Sequence, residues 1–188
     1  MKNDSLLGDI SMKDVEEGAI YAPPSSTRSM SGGRSIHFNI VQNFGKLSER
    51  KNAPVFARVD WNGYIKYDLR TWNDDMTAPF KGITFDDDEI EMLYDDLNQF
   101  DFGRISRSVK REFVGGKAKA KFYDRISQLS ESRENDATWN KEVNIIDWGY
   151  GKKVDFRKWT EDYDKCGKGL CITFEEAEKL IEILKTEI

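Results

Sequence analysis

The sequence predicts an α+β protein: two copies of a four-stranded antiparallel sheet, each followed by one helix. Three observations carry that expectation. Shifted by 87 residues, the chain matches itself without a gap. Val59-Asp60-Trp61 falls on Ile146-Asp147-Trp148, Asp68-x-Arg70-x-Trp72 on Asp155-x-Arg157-x-Trp159, and Lys81-Gly82-Ile83 on Lys168-Gly169-Leu170. About a third of positions 59–97 are identical in the two copies, including the rare tryptophan twice at one spacing. Each copy also carries apolar residues at period two, as half-buried strands do, and then an apolar stripe at helical spacing.

The elements follow in order. Ser35–Lys46 holds Ile36, Phe38 and Ile40 at period two and reads as the first strand. Val55–Trp61 is the second, and Asn62-Gly63 supplies a tight hairpin turn. In the third strand Ile65, Tyr67 and Leu69 face one way, while Lys66, Asp68, Arg70 and Trp72 face the other. A polar loop, 73–80, leads to a short strand at Gly82–Phe85. Asp86-x-x-Glu89 then opens a helix as a capping-box variant, with Ile90, Leu93, Tyr94 and Leu97 on one stripe. In copy two, Thr173-x-x-Glu176 is the capping box, and Ala177, Leu180, Ile181 and Leu184 repeat the stripe. A helix stripe covers one face of a sheet, so the face bearing Arg70 and Trp72 is expected to be open to solvent or a partner.

Upstream the match continues at a changed offset: Gly32-Gly33-Arg34 resembles Gly115-Gly116-Lys117, and Leu47-Ser48-Glu49 matches Leu129-Ser130-Glu131. This bounds the copies at 34–101 and 117–188. Residues 1–33, rich in Ser, Gly and Asp with Pro23-Pro24, read as a disordered tail. Residues 102–116 read as a basic connector; from Phe102 to Lys121 there are seven Lys or Arg against one Glu. The two copies are expected to pair within one chain, with Ile90, Leu93 and Leu97 against Leu180, Leu184 and Ile188 as the seam. A homodimer of such chains is the alternative.

Composition sets the chemical limits. Of 188 residues 34% are charged, with 34 acids against 29 bases and a net charge of −5. One histidine (His37) and two cysteines (Cys166, Cys171) cannot build a Cys/His zinc site without carboxylates, and they supply no disulfide framework. No cofactor site is legible. No apolar run is long enough for a signal peptide or a membrane span, so a soluble, intracellular protein is expected: cytoplasmic, or nuclear in a eukaryote. The net charge argues against a nucleic-acid partner only until it is divided. Residues 34–72 carry +4 and 102–158 carry +6, whereas 73–101 carry −9, 159–188 carry −4 and the tail −2. The strand-rich segments are basic and the loop-plus-helix segments acidic, an arrangement that offers an anion the sheet and not the helices.

The face predicted to be open pairs aromatic with basic residues. Trp61, Arg70 and Trp72 recur as Trp148, Arg157 and Trp159, with Lys66 and Lys153 on the same strands and Lys81 and Lys168 at the start of the next. Aromatic platforms beside cations suit single-stranded nucleic acid, whose bases stack at about 1–3 kcal/mol each with little sequence preference. The competing reading makes these indoles core and the Arg–Asp neighbours surface ion pairs, with Lys81-Gly82 a simple turn. Asp68 and Asp155 are expected to orient the basic side chains. Asp86-Asp87-Asp88 reads as helix N-terminal acids better than as a metal site.

The run Tyr67-Asp68-Leu69-Arg70-Thr71-Trp72, an acidic loop, and Lys81-Gly82-Ile83-Thr84-Phe85 resemble the transcriptional positive cofactor four domain, closest to its bacterial branch. Copy two resembles it through Leu129-Ser130-Glu131, Trp139-Asn140-Lys141-Glu142-Val143-Asn144, Asp147-Trp148, Asp155-Phe156-Arg157, Trp159 and Gly167-Lys168-Gly169. Together the copies cover about three quarters of the chain. The resemblance implies a curved four-stranded sheet with a C-terminal helix, helix-mediated pairing, and a non-enzymatic protein that binds single-stranded DNA, with RNA as an alternative. It assigns the nucleic-acid surface to Trp61, Arg70, Trp72 and Lys81, and to Trp148, Arg157, Trp159 and Lys168. Two departures stand out: family members carry one domain per chain, and Pro79-Phe80 replaces the family's Gly before Lys81. A second expectation keeps the fold but makes the protein an adaptor, with acidic helices as its contact surface.

Overall fold

The computed structural model describes residues 26–29 and 35–187, with side chains from His37 onward. Its class is α+β: two antiparallel sheets and two helices. The first sheet runs β1 (Ser26–Ser29), β2 (Ser35–Lys46), β3 (Val55–Trp61), β4 (Tyr64–Trp72) and β5 (Pro79–Phe85), each strand beside the next, and α1 (Asp87–Gln99) follows. A single 3₁₀ turn at Phe102–Arg104 leads to the second sheet. This contains β6 (Arg111–Gly115), β7 (Ala118–Glu134), β8 (Ala137–Asp147), β9 (Lys152–Thr160) and β10 (Cys166–Ile172), again neighbour by neighbour, and α2 (Phe174–Glu187) ends the described chain.

Two boundaries differ from expectation. Residues 26–29, assigned to a disordered tail, form an edge strand on β2 with Ser26 opposite Phe38; the rest of that segment lies outside the described residues. The basic connector is not a linker either. Its Phe113 alternates inward from β6 and is buried under Trp159 and Trp148, and Gly116, at φ 62°, makes the turn into β7. Sparse apolar content hid both strands, because an edge strand needs only one or two inward residues.

The hairpin turns follow their chemistry. Asn62 and Gly63 both take positive φ between β3 and β4, as do Asn135 and Asp136 between β7 and β8. Register shifts in β2 at Ile40/Gln42 and Asn43/Gly45 recur in β7 at Phe122/Asp124 and Arg125/Ser127. Such bulges bend the strand and increase its twist.

Each sheet buries both faces. On one, Phe56, Leu69, Phe85, Ile90, Leu93 and Leu97 of the first half join Leu129, Val143, Ile145, Val154, Phe156, Ala177, Leu180 and Leu184 of the second in a single core. Helix α1 packs across onto β7 as well as against α2. Ile188 of the expected seam lies outside the described residues. The opposite faces, expected to be open, carry small clusters of their own: Phe38, Ile40, Val55, Ala57, Val59 and Trp72 in one half, and Phe113, Ala120, Phe122, Ile146 and Trp159 in the other.

The capping boxes reach beyond their helices. Thr173 N–H donates to Glu176 (3.0 Å) while Glu176 N–H donates to the Thr173 hydroxyl (3.2 Å), and Asp86 N–H donates to Glu89 (3.0 Å). Those glutamates also bind the other half. Glu176 accepts from Ser48 Oγ (2.7 Å) and Arg50 Nε (2.6 Å), and Glu89 accepts from Ser130 Oγ (2.5 Å) and Lys141 Nζ (2.7 Å). Among the described residues no helix is long and apolar enough to cross a membrane.

Candidate nucleic-acid interface

Edge strands β5 and β10 approach each other, and a groove of about 760 Å³ opens where they meet. It is lined from one half by Trp61, Arg70, Phe80 and Lys81, and from the other by Arg157 and Lys168. Five of the ten residues singled out from the sequence are therefore brought together, although they lie almost 90 residues apart in two groups. The side chains of Lys81 and Lys168 are exposed, and among the described residues their ammonium groups make no ion pair or hydrogen bond. Phe80, 51% exposed, adds an aromatic wall that sequence reasoning missed. The signal was there, in the Pro79-Phe80 departure.

The two arginines are held rather than free. Arg70 donates from Nε and Nη2 to the Asp68 carboxylate (2.6 and 2.7 Å) and from Nη1 to the Phe80 carbonyl (3.2 Å). Arg157 donates in the same way to Asp155 (2.8 and 2.9 Å), with Nη1 toward the Gly167 carbonyl (3.4 Å). Both carboxylates are buried, which fits the orienting role expected of Asp68 and Asp155. Burial raises the Asp68 pKa against the opposing pull of Arg70. For Arg157, burial works downward, but the bonds and charge of Asp155 outweigh it and the pKa moves up. Each guanidinium then lies over an indole, 4.6 Å from the centre of Trp61 and 4.4 Å from that of Trp148, a cation–π geometry. Trp148 N–H donates to Asp155 (3.1 Å).

Lys-Gly is not a turn in either half. Gly82 pairs with Arg70 and Gly169 with Arg157 inside the sheets. A Cβ on Gly82 would stand 2.1 Å from Arg70 Cβ, and one on Gly169 would stand 2.4 Å from Arg157 Cβ. Glycine is needed there for close approach, and it lets β5 and β10 press against the strands that carry the arginines.

The remaining predicted residues lie elsewhere. Trp72 and Trp159 are buried at 4% and 0% exposure, beneath the groove. The expectation that they form open stacking platforms is corrected: strand parity put them on the arginine face, but Phe38 and Phe122 from the curved strands β2 and β7 close over them. Lys66 is tied to Asp86 and turns into a flanking hollow with Lys141 and Lys158. Lys153 is half-buried on β9 opposite Ile146. Trp148 is half-buried and faces a second, smaller hollow on the outer side. Cys171 lies against Asp155 (3.0 Å), and burial with that charge pushes its thiol pKa up to about 12. Among the described residues no cluster of three or more His, Cys, Asp or Glu is placed to hold a metal ion.

Fold and site together define a class: an antiparallel-sheet protein with a cationic, aromatic-edged groove between two sheet edges. The chain is 37% identical over 66 residues to an uncharacterized protein of Treponema pallidum (strain Nichols), a match that covers 34% of this chain and 78% of that protein. The two belong to one family, and the relative is shorter than half of this chain. No model of a known protein family matches the sequence, and no solved structure matches it.

Proposed function

We propose that the protein is a non-enzymatic binder of single-stranded DNA with little sequence preference, and that it acts as an intrachain pseudo-dimer of a duplicated unit. The observation that carries the binding reading is the groove between β5 and β10. It sets two unpaired lysines, two pre-oriented guanidinium groups and two exposed or half-exposed rings along one path. Cations meet the phosphates and rings meet base faces, the combination that binds single strands without reading their sequence. Support for the pseudo-dimer is the single core shared by both halves and the reciprocal Glu89–Ser130 and Glu176–Ser48 contacts. A relative shorter than half of this chain is consistent with a one-unit protein that must find its partner in another copy.

Fluorescence titration with oligo-dT and with a matched duplex, at two salt concentrations, tests the binding reading. Single strands are expected to bind more tightly than duplex. The affinity should fall with salt, with a log–log slope of roughly −0.7 per phosphate contact. Absence of binding to oligo-dT at low salt would overturn it and favour the adaptor reading, in which the acidic outer face of α1 (Asp87, Asp88, Glu91, Asp95) contacts a protein.

A further inference from the structure

The β6–β7 hairpin of the second half is basic, with two lysines on β7 and a third at its tip. Strands β6 and β7 pair from Arg111 opposite Phe122 to Gly115 opposite Ala118, and Gly116-Lys117 forms the tip. Phe113, Ala120 and Phe122 point into the small aromatic cluster under Trp159. Lys119 and Lys121 therefore point to the other face, two residues and about 7 Å apart. Together with Lys117 they are exposed, and among the described residues none of the three ammonium groups makes an ion pair or a hydrogen bond. The offset that aligns the bulges of β2 and β7 sets His37 and Asn39 against Lys119 and Lys121, so neither strand lysine has a Lys or Arg counterpart, while Arg34 is the sequence match of Lys117.

The hairpin is continuous with the groove. Arg157, which lines the groove, lies over Trp148, and Trp148 lines a hollow of about 200 Å³ with Phe113, Val114, Lys119 and Lys121. Val114 is 65% exposed at its rim. The hollow is too small for a drug-sized ligand but open enough to admit one planar ring. Two acids border it. Asp147 is engaged by the Gly149 and Gly151 amides (2.6 and 3.0 Å) in the turn after β8, and Glu112 lies opposite Lys121 on β6.

We propose that Lys117, Lys119 and Lys121, with the Trp148 hollow, extend the single-strand track beyond the groove over the outer edge of the second sheet only. The bound strand then has a one-sided footprint, with a phosphodiester segment on the lysines and a base against Trp148. A symmetric pair of identical units would offer the strand two equivalent exits; here the strand lysines Lys119 and Lys121 have His37 and Asn39 at the matching positions of β2, which favours one. The inference rests on the single-strand reading above and deepens it.

The test uses the full chain and oligo-dT of graded length. Lys117→Ser/Lys119→Ser/Lys121→Ser is compared with wild type and with Lys179→Ser/Lys185→Ser, two exposed lysines on α2. The triple variant should bind long oligo-dT at least tenfold more weakly, with the salt slope reduced by about 2. Its affinity for the shortest oligonucleotides that bind should stay at wild-type level, and the α2 variant should match wild type throughout. Equal affinity of the triple variant and wild type at every length would overturn the one-sided track and leave the groove as the whole site. An equal loss at all lengths, short ones included, would overturn it by reducing the lysines to a general attraction. Failure of wild type itself to bind oligo-dT would overturn the single-strand reading, and this inference with it.

Discussion

Trp72 and Phe80 lie within one stretch of chain and have opposite fates. The Trp72 indole sits 5.2 Å from the Phe38 ring and 6.3 Å from that of Trp61, almost wholly buried, while half of Phe80 is exposed at the groove. Trp72→Ala should therefore act on stability, lowering it by about 3–5 kcal/mol through the cavity it leaves. Denaturant unfolding read by tryptophan fluorescence checks this; a loss under 1 kcal/mol would mean the site is not packed as described. Residue identity and strand parity were enough to put Arg70, Trp72 and Trp61 on one side of β4 and its neighbour. Whether a ring on that side is platform or packing depends on how far β2 curls, which no local pattern encodes.

At the scale of the element, the Lys-Gly strands matter most. Gly82 and Gly169 let β5 and β10 approach β4 and β9 at the points where the arginines emerge. Adding one methyl group at Gly82 must displace Arg70 or the Leu69 carbonyl, 2.7 Å away. Gly82→Ala is expected to destabilise the fold by about 1–3 kcal/mol through overpacking. Weaker oligonucleotide binding should accompany this, since Arg70 loses its hold on Asp68 and the Phe80 carbonyl. Thermal unfolding and titration on the same variant measure both, and an unchanged melting temperature would contradict the close approach. The strands and helices themselves were legible from period two, the Asn62-Gly63 turn and the capping boxes. The edge strands β1 and β6 were not: their pairing is made by backbone groups, and side-chain periodicity over four or five residues carries too little information.

For the whole molecule, the shared core and the two cross-half carboxylates make the halves interdependent. Unfolding should be one transition whose midpoint does not move with protein concentration, as expected when pairing is intramolecular; a concentration-dependent midpoint would point to a homodimer. Acid should weaken the clamp. Burial alone would raise the Glu176 pKa, but its bonds to Arg50 and Ser48 and the Arg50 charge prevail, and the net shift is downward. A lowered folded pKa means that the stabilisation is fully present above the ordinary glutamate range and is lost as pH falls through the folded value. Stability measured from pH 7 down to 3 should fall, and Glu176→Gln should be less stable at neutral pH and show a shallower decline. A parallel decline in the variant would remove Glu176 from the cause.

The sequence alone determined the α+β class, four of the five strands in each sheet and the helix that follows them, the division of charge between strand-rich and helical segments, and the chemical types at the site. These are properties of spacing and composition, and they survive without coordinates. Only the tertiary structure decided that the two halves share one core, that β5 and β10 face each other across a groove, and that Glu89 and Glu176 lock each helix start to the opposite half. It also decided that Trp72 and Trp159 lie beneath the surface rather than on it. The physical reason is common to all four: strand curvature and the packing of one half on the other are set by many small long-range contacts, and no short stretch of sequence contains them.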